Sequence, residues 1–284
     1  MSPFDLHEPR TLREALHVLN VDDPTVRPLA GGTALMLMMK AGVFRPKRLV
    51  SLRRIGSEYS DVRLADDQVR IGAMATLSAL ERSPVIKSGL PVVARALRTL
   101  SNVRVRNVAT LGGHLAHADP HMDLPPVLIA LGAFVLTASA AGSRAIAAED
   151  LFSGYYETVL ARGELITEVR VPVQGQRRAA YLKVTTRSAD DWPALGVAVA
   201  LDSEDGGVRE ARVVVSAATE KATRLTGVEA LLRGKRVDET LARRAGEAAA
   251  EEANVIASVH GSAAYKRQLV RVYVARALQQ AMTS

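Results

Sequence analysis

Two glycine pairs dominate the reading of this chain. The first lies in Pro28-Leu29-Ala30-Gly31-Gly32-Thr33-Ala34-Leu35, the second in Thr110-Leu111-Gly112-Gly113-His114. The first stretch reads as a short strand that turns into a helix through two residues without side chains. Such a turn lets main-chain N–H groups approach an anion, and the helix N-terminus adds its partial positive charge. No Lys-Ser/Thr follows the glycines, so this is not a Walker loop, and no G-x-G-x-x-G occurs, so it is not a dinucleotide fingerprint of the Rossmann type. From these residues alone, a phosphate cradle and a plain strand–turn–helix corner both stay open.

The second pair sits in a turn-rich stretch, Asn107 to Asp123. It brings Thr110, Gly112-Gly113, three histidines (His114, His117, His121) and two aspartates (Asp119, Asp123) into fourteen residues. A metal site is not expected there. Pro120 breaks any helix that would align the three imidazoles, and the H-E-x-x-H pattern is absent. Gly112-Gly113 suits a second phosphate contact, and Asp119 and Asp123 suit the hydroxyls of a sugar or polyol. No catalytic residue of the chain's own is identified. G-x-S-x-G is missing, and Asp190-Asp191 and Glu251-Glu252 read as solvated charge pairs. Two phosphate loops without an acid/base set point to a dinucleotide-like ligand whose own chemistry does the work.

The remaining pattern is that of an ordinary globular α+β protein. Its 284 residues fit two domains, with 48% hydrophobic and 24% charged residues. Thr11-Leu12-Arg13-Glu14 fits a capping box for a helix with Leu12, Ala15, Leu16 and Leu19 on one face. Val26–Leu29, Arg48–Leu52, Gln68–Ala73, Ala133–Thr137 and Glu164–Val171 read as strands, and Leu35–Lys40 reads as a helix. Thr76 caps a helix ending near Arg82, Leu90-Pro91 opens one to Leu100, and Pro125-Pro126 opens one to Leu131. Pro172–Gln176 is the linker candidate. Beyond it, Tyr181–Thr185, Leu195–Leu201 and Glu210–Ser216 read as three strands, with a hairpin across Asp202–Gly207, followed by helices of which the last spans Ser262–Met282.

The net charge of +7 raises a nucleic-acid reading, but the basic residues are scattered and no aromatic platform is interleaved with them. Nucleic-acid binding is not expected. Arg104, Arg106, Arg267 and Arg271 are candidates for docking an acidic protein partner. The apolar run Leu124–Leu136 is too short to span a bilayer, and Met1–Arg10 has no apolar signal core, so a cytoplasmic protein is expected. Cysteine is absent, which excludes a thiolate-held iron–sulfur cluster on this chain.

The order and spacing of several short pieces resemble the FAD-binding medium subunit of molybdenum hydroxylases, the xanthine dehydrogenase and carbon monoxide dehydrogenase type. The pieces are Leu29-Ala30-Gly31-Gly32-Thr33, Leu49-Val50-Ser51-Leu52, Ile71-Gly72-Ala73, Arg106-Asn107 through Thr110-Leu111-Gly112-Gly113 to Ala118-Asp119-Pro120 and Asp123, Gly163-Glu164-Leu165-Ile166, Val171-Pro172, Tyr181-Leu182-Lys183 and Tyr265-Lys266-Arg267. The resemblance implies a PCMH-type FAD-binding fold of two subdomains, 1–55 and 56–173, with FAD between them. A C-terminal α+β domain of a three-stranded sheet plus helices would follow at 177–284. Carried over by position, Pro28 to Leu35 and Thr110 to His114 would bind the pyrophosphate through backbone N–H groups and hydroxyls. Asp123, Ile166 and Lys183 align with flavin-contacting positions, and Trp192 lies near an aromatic position beside the isoalloxazine ring. Ala34 stands where relatives carry Asp or Ser, His114 and His117 stand where Asn is usual, and one extra residue falls between Arg187 and Trp192.

The resemblance further implies a molybdenum cofactor on a large subunit, [2Fe–2S] clusters on a small subunit, and a dimer of heterotrimers. In that reading the chain passes electrons from the clusters through FAD to an external acceptor. The alternatives are a free-standing FAD reductase of the same fold and a structural subunit that has lost FAD.

Overall fold

The computed structural model describes residues 2–283; Met1 and Ser284, the outermost residues of the expected first and last units, lie outside them. The chain opens on strand β1 (Asp5–His7) and helix α1 (Leu12–Leu19). Thr11 caps α1 as expected, its Oγ1 accepting the Glu14 N–H at 3.2 Å. Glu14 reaches back to the Arg10 N–H at 2.8 Å, one residue beyond the usual capping box. Next come β2 (Val26–Leu29), α2 (Thr33–Lys40) and β3 (Arg48–Ser51), and the three strands form a parallel sheet in the order β1-β3-β2. Parallel neighbours need a crossover between them, which α2 supplies for β2 and β3.

The middle of the chain holds β4 (Val62–Ala65), β5 (Gln68–Gly72), and six short helices: α3 (Leu77–Arg82), α4 (Pro84–Gly89), α5 (Pro91–Leu97), α6 (Val103–Arg106), α7 (Leu111–His117) and α8 (Leu124–Ala130). Strands β6 (Phe134–Ser139), β7 (Gly142–Ala147), the short pair β8 (Phe152–Gly154) and β9 (Glu157–Thr158), and β10 (Leu165–Pro172) complete it. Five of these strands form an antiparallel sheet in the order β4-β5-β10-β6-β7. The edge strands β4 and β7 were not expected from the pattern. β7 exposes four of its six residues and β4 two of its four, with none of β4 buried, so neither carries a buried apolar alternation. α8 is the reverse case: all seven of its residues are buried, so the apolar run after Pro125-Pro126 is a core helix. Arg144 on β7 grips Glu164 at 2.7 and 2.8 Å just before β10, and these bonds hold that carboxyl down to about 2.

Residues 172–177 are pinned rather than loose. The Gln174 side chain accepts the Val92 N–H at 3.2 Å and donates to the Arg177 carbonyl at 3.0 Å, while Arg177 bonds the carbonyls of Leu131, Pro172 and Val173. The last part comprises β11 (Arg178–Val184), β12 (Leu195–Glu204), β13 (Gly207–Ser216), β14 (Thr223–Arg224), α9 (Thr226–Leu232), α10 (Glu239–Glu252) and α11 (Ala263–Thr283). The three expected strands are there, and the two-residue β14 adds an edge in the antiparallel order β11-β12-β13-β14. The hairpin turns through Asp205 and Gly206, both at positive φ (51° and 81°), as a two-residue connection requires. β12 is buried on both faces: Ala198 and Ala200 join the middle core, whereas Val197, Val199 and Leu201 pack with α10 and α11. This sheet is therefore a layer between two sets of helices, which brings one face of β11 to the middle of the molecule. Among the described residues no helix is long and apolar enough to cross a membrane.

Candidate functional site

The two glycine pairs meet. Gly32 ends the turn after β2 at φ +76°, a conformation that glycine adopts without strain, and it starts α2. No side chain caps that helix, so the N–H groups of Thr33, Ala34 and Leu35 are not donated to a cap. Gly31 is pressed against the chain just before the second pair. A Cβ there would lie 2.3 Å from the Val108 carbonyl oxygen and 2.8 Å from Ala109 Cα. From the other side, a Cβ on Gly113 would come within 3.3 Å of Ala30 Cβ and 3.0 Å of Thr110 Oγ1.

The second stretch differs from its expected turn-rich form, because Leu111–His117 is a helix capped by Thr110. Its glycines hid it, since glycine is a poor helix former. Gly112 is there for space: a Cβ would lie 2.7 Å from Ala73 Cβ. The expectation that this stretch offers free backbone donors is corrected by its own bonds. Leu111 N–H goes to Ala75 O (3.0 Å), Gly112 N–H to Ala73 O (2.7 Å), Gly113 N–H to Thr110 Oγ1 (3.2 Å) and His114 N–H to Thr110 O (2.8 Å). What remains is the Thr110 hydroxyl hydrogen, because Thr110 Oγ1 accepts from Gly113 and is still free to donate. Within the first stretch, Pro28 has no N–H to give, and Leu29 sits in the β2–β3 ladder with its carbonyl accepting Leu52 N–H at 2.9 Å. The main-chain donors toward an anion therefore include those at the start of α2.

Asp123 and Lys183 come together in the interior. Lys183 Nζ donates to Asp123 Oδ2 at 3.1 Å and to the Thr99 carbonyl at 2.8 Å, and the Tyr181 hydroxyl donates to Asp123 Oδ1 at 2.6 Å. Burial pushes the Asp123 carboxyl up, against the pull of Lys183 and Tyr181; burial beside that carboxylate raises the Tyr181 phenol well above its ordinary value. Tyr181 was not singled out as a site residue. Its signal was the strand period: two residues before Lys183, it points to the same face of β11. The Thr99 carbonyl had no sequence signal. Ile166 lies half-buried at a bulge of β10, where the Thr167 carbonyl accepts Ala73 N–H at 3.0 Å, and Ala73 O in turn holds Gly112.

Asp119 is not free for a ligand hydroxyl. It accepts both the backbone N–H and the Nδ1–H of His121 at 2.9 Å and a bond from the Tyr156 phenol. Burial raises this carboxyl, but the His121 bonds outweigh it and the net shift is downward. The His121 ring is buried between Trp192, stacked at 5.9 Å, and His260, edge-on at 5.1 Å. Trp192 itself is 57% exposed and meets His121, not the other expected site residues. His114 holds a buried Nε2 without a partner, and burial, aided by His117, keeps its imidazole neutral with a pKa of about 4. His117 packs edge-on against Tyr156 at 5.3 Å.

The Asp123–Lys183 pair carries a stability prediction. Asp123→Ala leaves the Lys183 ammonium, 7% exposed, without its counter-charge. Stranding a buried charge costs about 3–5 kcal/mol. Denaturant unfolding is expected to show a loss of that size, and an unchanged midpoint would refute the pairing.

Uncapped N–H groups and a threonine hydroxyl on neighbouring stretches are donors of the kind a pyrophosphate takes, and the interior also holds a Lys–Asp–Tyr set. Residues 2–174 match the FAD binding domain in molybdopterin dehydrogenase, and residues 180–281 match the CO dehydrogenase flavoprotein C-terminal domain. The chain is 32% identical to the glyceraldehyde dehydrogenase medium chain of Sulfolobus acidocaldarius, over 98% of each chain. It is 31% identical to the carbon monoxide dehydrogenase medium chain of Hydrogenophaga pseudoflava, over 98% of this chain and 96% of that one. A solved carbon monoxide dehydrogenase from Hydrogenophaga pseudoflava superposes with a TM-score of 0.95 at 32% identity, covering 100% of this chain and 99% of its counterpart. Quinoline 2-oxidoreductase from Pseudomonas putida 86 superposes at 0.93 with 30% identity, over 99% of this chain and 98% of that one. The chain therefore belongs to the FAD-binding medium subunits of the molybdenum hydroxylases and is an oxidoreductase subunit.

Proposed function

We propose that this chain is the electron-transfer flavoprotein of a cytoplasmic multi-subunit molybdenum hydroxylase, with one FAD held between residues 1–55 and 56–173 and residues 177–284 as the third unit. The observation that carries the reading is the junction at Gly31, where the turn into the uncapped α2 packs on Val108 and Ala109 and Ala30 lies against Gly113. In this reading the N–H groups of Thr33, Ala34 and Leu35 and the Thr110 hydroxyl hold the pyrophosphate. Asp123 orients Lys183 toward the flavin end, and Tyr181 keeps Asp123 in place. Bound FAD supplies the redox chemistry, accepting electrons and releasing them to an external acceptor. The protein's part is to bind, orient and screen it.

The electrons come from outside the chain. Without cysteine it cannot ligate a [2Fe–2S] cluster, so in this proposal the clusters belong to a small subunit and the molybdenum cofactor to a large one, assembled as a dimer of heterotrimers. The large subunit then sets the substrate. FAD is held non-covalently in this proposal: there is no cysteine for a thioether, and His114, the alternative attachment point, lies on the stretch assigned to the phosphates. Acid precipitation of the flavin-loaded chain is expected to release all of the yellow colour. Flavin retained on the precipitate would overturn non-covalent binding, and a chain that takes up no flavin would overturn the assignment of the site.

A further inference from the structure

Lys266, in the first turn of α11, is the largest fully buried side chain described, at 0% exposure. Among the described residues its Nζ donates to one group, the Ala217 carbonyl at 2.8 Å, and no carboxylate pairs with it. Burial pulls its pKa below the ordinary lysine value. An ammonium in such a place is expensive unless its bond fixes something. What it fixes is a turn at the end of β13 in which Ala217 takes φ +64°, a conformation that favours glycine. The same residue donates its N–H to the Pro120 carbonyl at 2.9 Å, and the next carbonyl, Ala218 O, accepts Ile256 N–H at 2.8 Å. Pro120 stands between Asp119 and His121, three residues before Asp123. The C-terminal part also holds this loop through Trp192 and His260, whose rings pack on His121, and through Tyr181 and Lys183 on Asp123; Lys266 influences the charge of His260.

We propose that Lys266 is a positioning residue for the flavin site: through the Ala217 carbonyl it locks the turn whose N–H holds Pro120, and with it the loop leading to Asp123, the partner of Lys183. The inference rests on the reading that FAD binds at this site. Lys266 touches no ligand in this scheme; it acts at a distance, by keeping Ala217 in the left-handed conformation that aims its N–H at Pro120.

The test uses the full chain and measures FAD affinity by fluorescence titration, with the visible circular dichroism of bound flavin as a report on its surroundings. Lys266→Met is expected to weaken FAD binding about tenfold or more, as for the loss of one charge-assisted hydrogen bond, and to change the dichroism. Adding Ala217→Gly is expected to restore affinity to within about threefold of the parent, because glycine takes positive φ unaided. Equal binding by the parent and Lys266→Met, or loss without rescue by Ala217→Gly, would overturn the proposal and leave the site intact. A parent chain that binds no FAD would instead overturn the site, and the proposal with it. Should Lys266→Met fail to fold, amide exchange on the parent decides. Segments 212–220 and 262–270 are expected to exchange more slowly with FAD bound, by the reciprocity of coupled sites, and unchanged exchange would overturn the proposal.

Discussion

Gly31→Val is expected to give a folded chain without flavin. The new Cβ would stand 2.3 Å from the Val108 carbonyl oxygen and 2.9 Å from its carbon, both main-chain atoms that have no rotamer to yield. The corner before α2 must then move away from the second glycine pair and take the N–H groups of Thr33, Ala34 and Leu35 with it. Hydrogen bonds to a charged group are worth about 1.5–3 kcal/mol each. Losing two of them lowers FAD affinity by about 10²- to 10⁴-fold, enough to empty the site during purification. Gly113→Val is the milder companion: its nearest neighbours are Thr110 Oγ1 at 3.0 Å and Ala30 Cβ at 3.3 Å, and it lies in a helix, so φ adds no strain. Flavin absorbance per protein, with far-ultraviolet dichroism as the folding control, reads both. Normal flavin content in Gly31→Val would show that the cradle lies elsewhere.

The same glycines show what the sequence could and could not disclose. That Gly31-Gly32 turns a strand into a helix is legible, because a positive φ and a helix start leave a local trace. That Gly31 lies against Val108 and Ala109 is not, because the contact joins residues far apart in the chain. Gly112 misleads for the same reason. It is glycine because of Ala73, so its helix reads as a loop, and its N–H is spent on Ala73 O. The strands buried on one or both faces, β5, β10, β12 and β13, carry periodic or continuous apolar runs and were legible; the short, partly exposed edges β4 and β7 were not. Within the site, the residue types predicted the chemistry better than the partners. Asp119 was expected to meet a ligand hydroxyl and instead fixes His121, an arrangement built on a two-residue turn and a distant tyrosine.

The isolated chain is expected to show no flavin bleaching with any aldehyde, purine or carbon monoxide. Bleaching is expected only when the copurifying subunits are present. A substrate must first be oxidised and its electrons carried to the flavin, and among these 284 residues there is no cysteine to hold a cluster that would carry them. Nor do the site's titratable groups form an oxidising centre of their own: Asp119 is tied to His121 and Tyr156, Asp123 to Lys183 and Tyr181, and His114 is held neutral. The basic surface expected to dock the partner is narrower than the sequence implied. Arg106 is turned inward, 11% exposed, with bonds to Glu81 and to the carbonyls of Leu100 and Ser101, so it serves its own fold. Arg104, Arg267 and Arg271 remain exposed, Arg271 with a bond to Gln268. Reversing two of them, Arg104→Glu with Arg267→Glu, therefore separates docking from cofactor binding. If these arginines steer the partner, bleaching of the mixed complex slows and loses its salt dependence while flavin content stays at the parent level. If the isolated chain is reduced by a candidate substrate with no partner present, the electron relay is not on another polypeptide, and the free-standing reductase becomes the correct description of the protein.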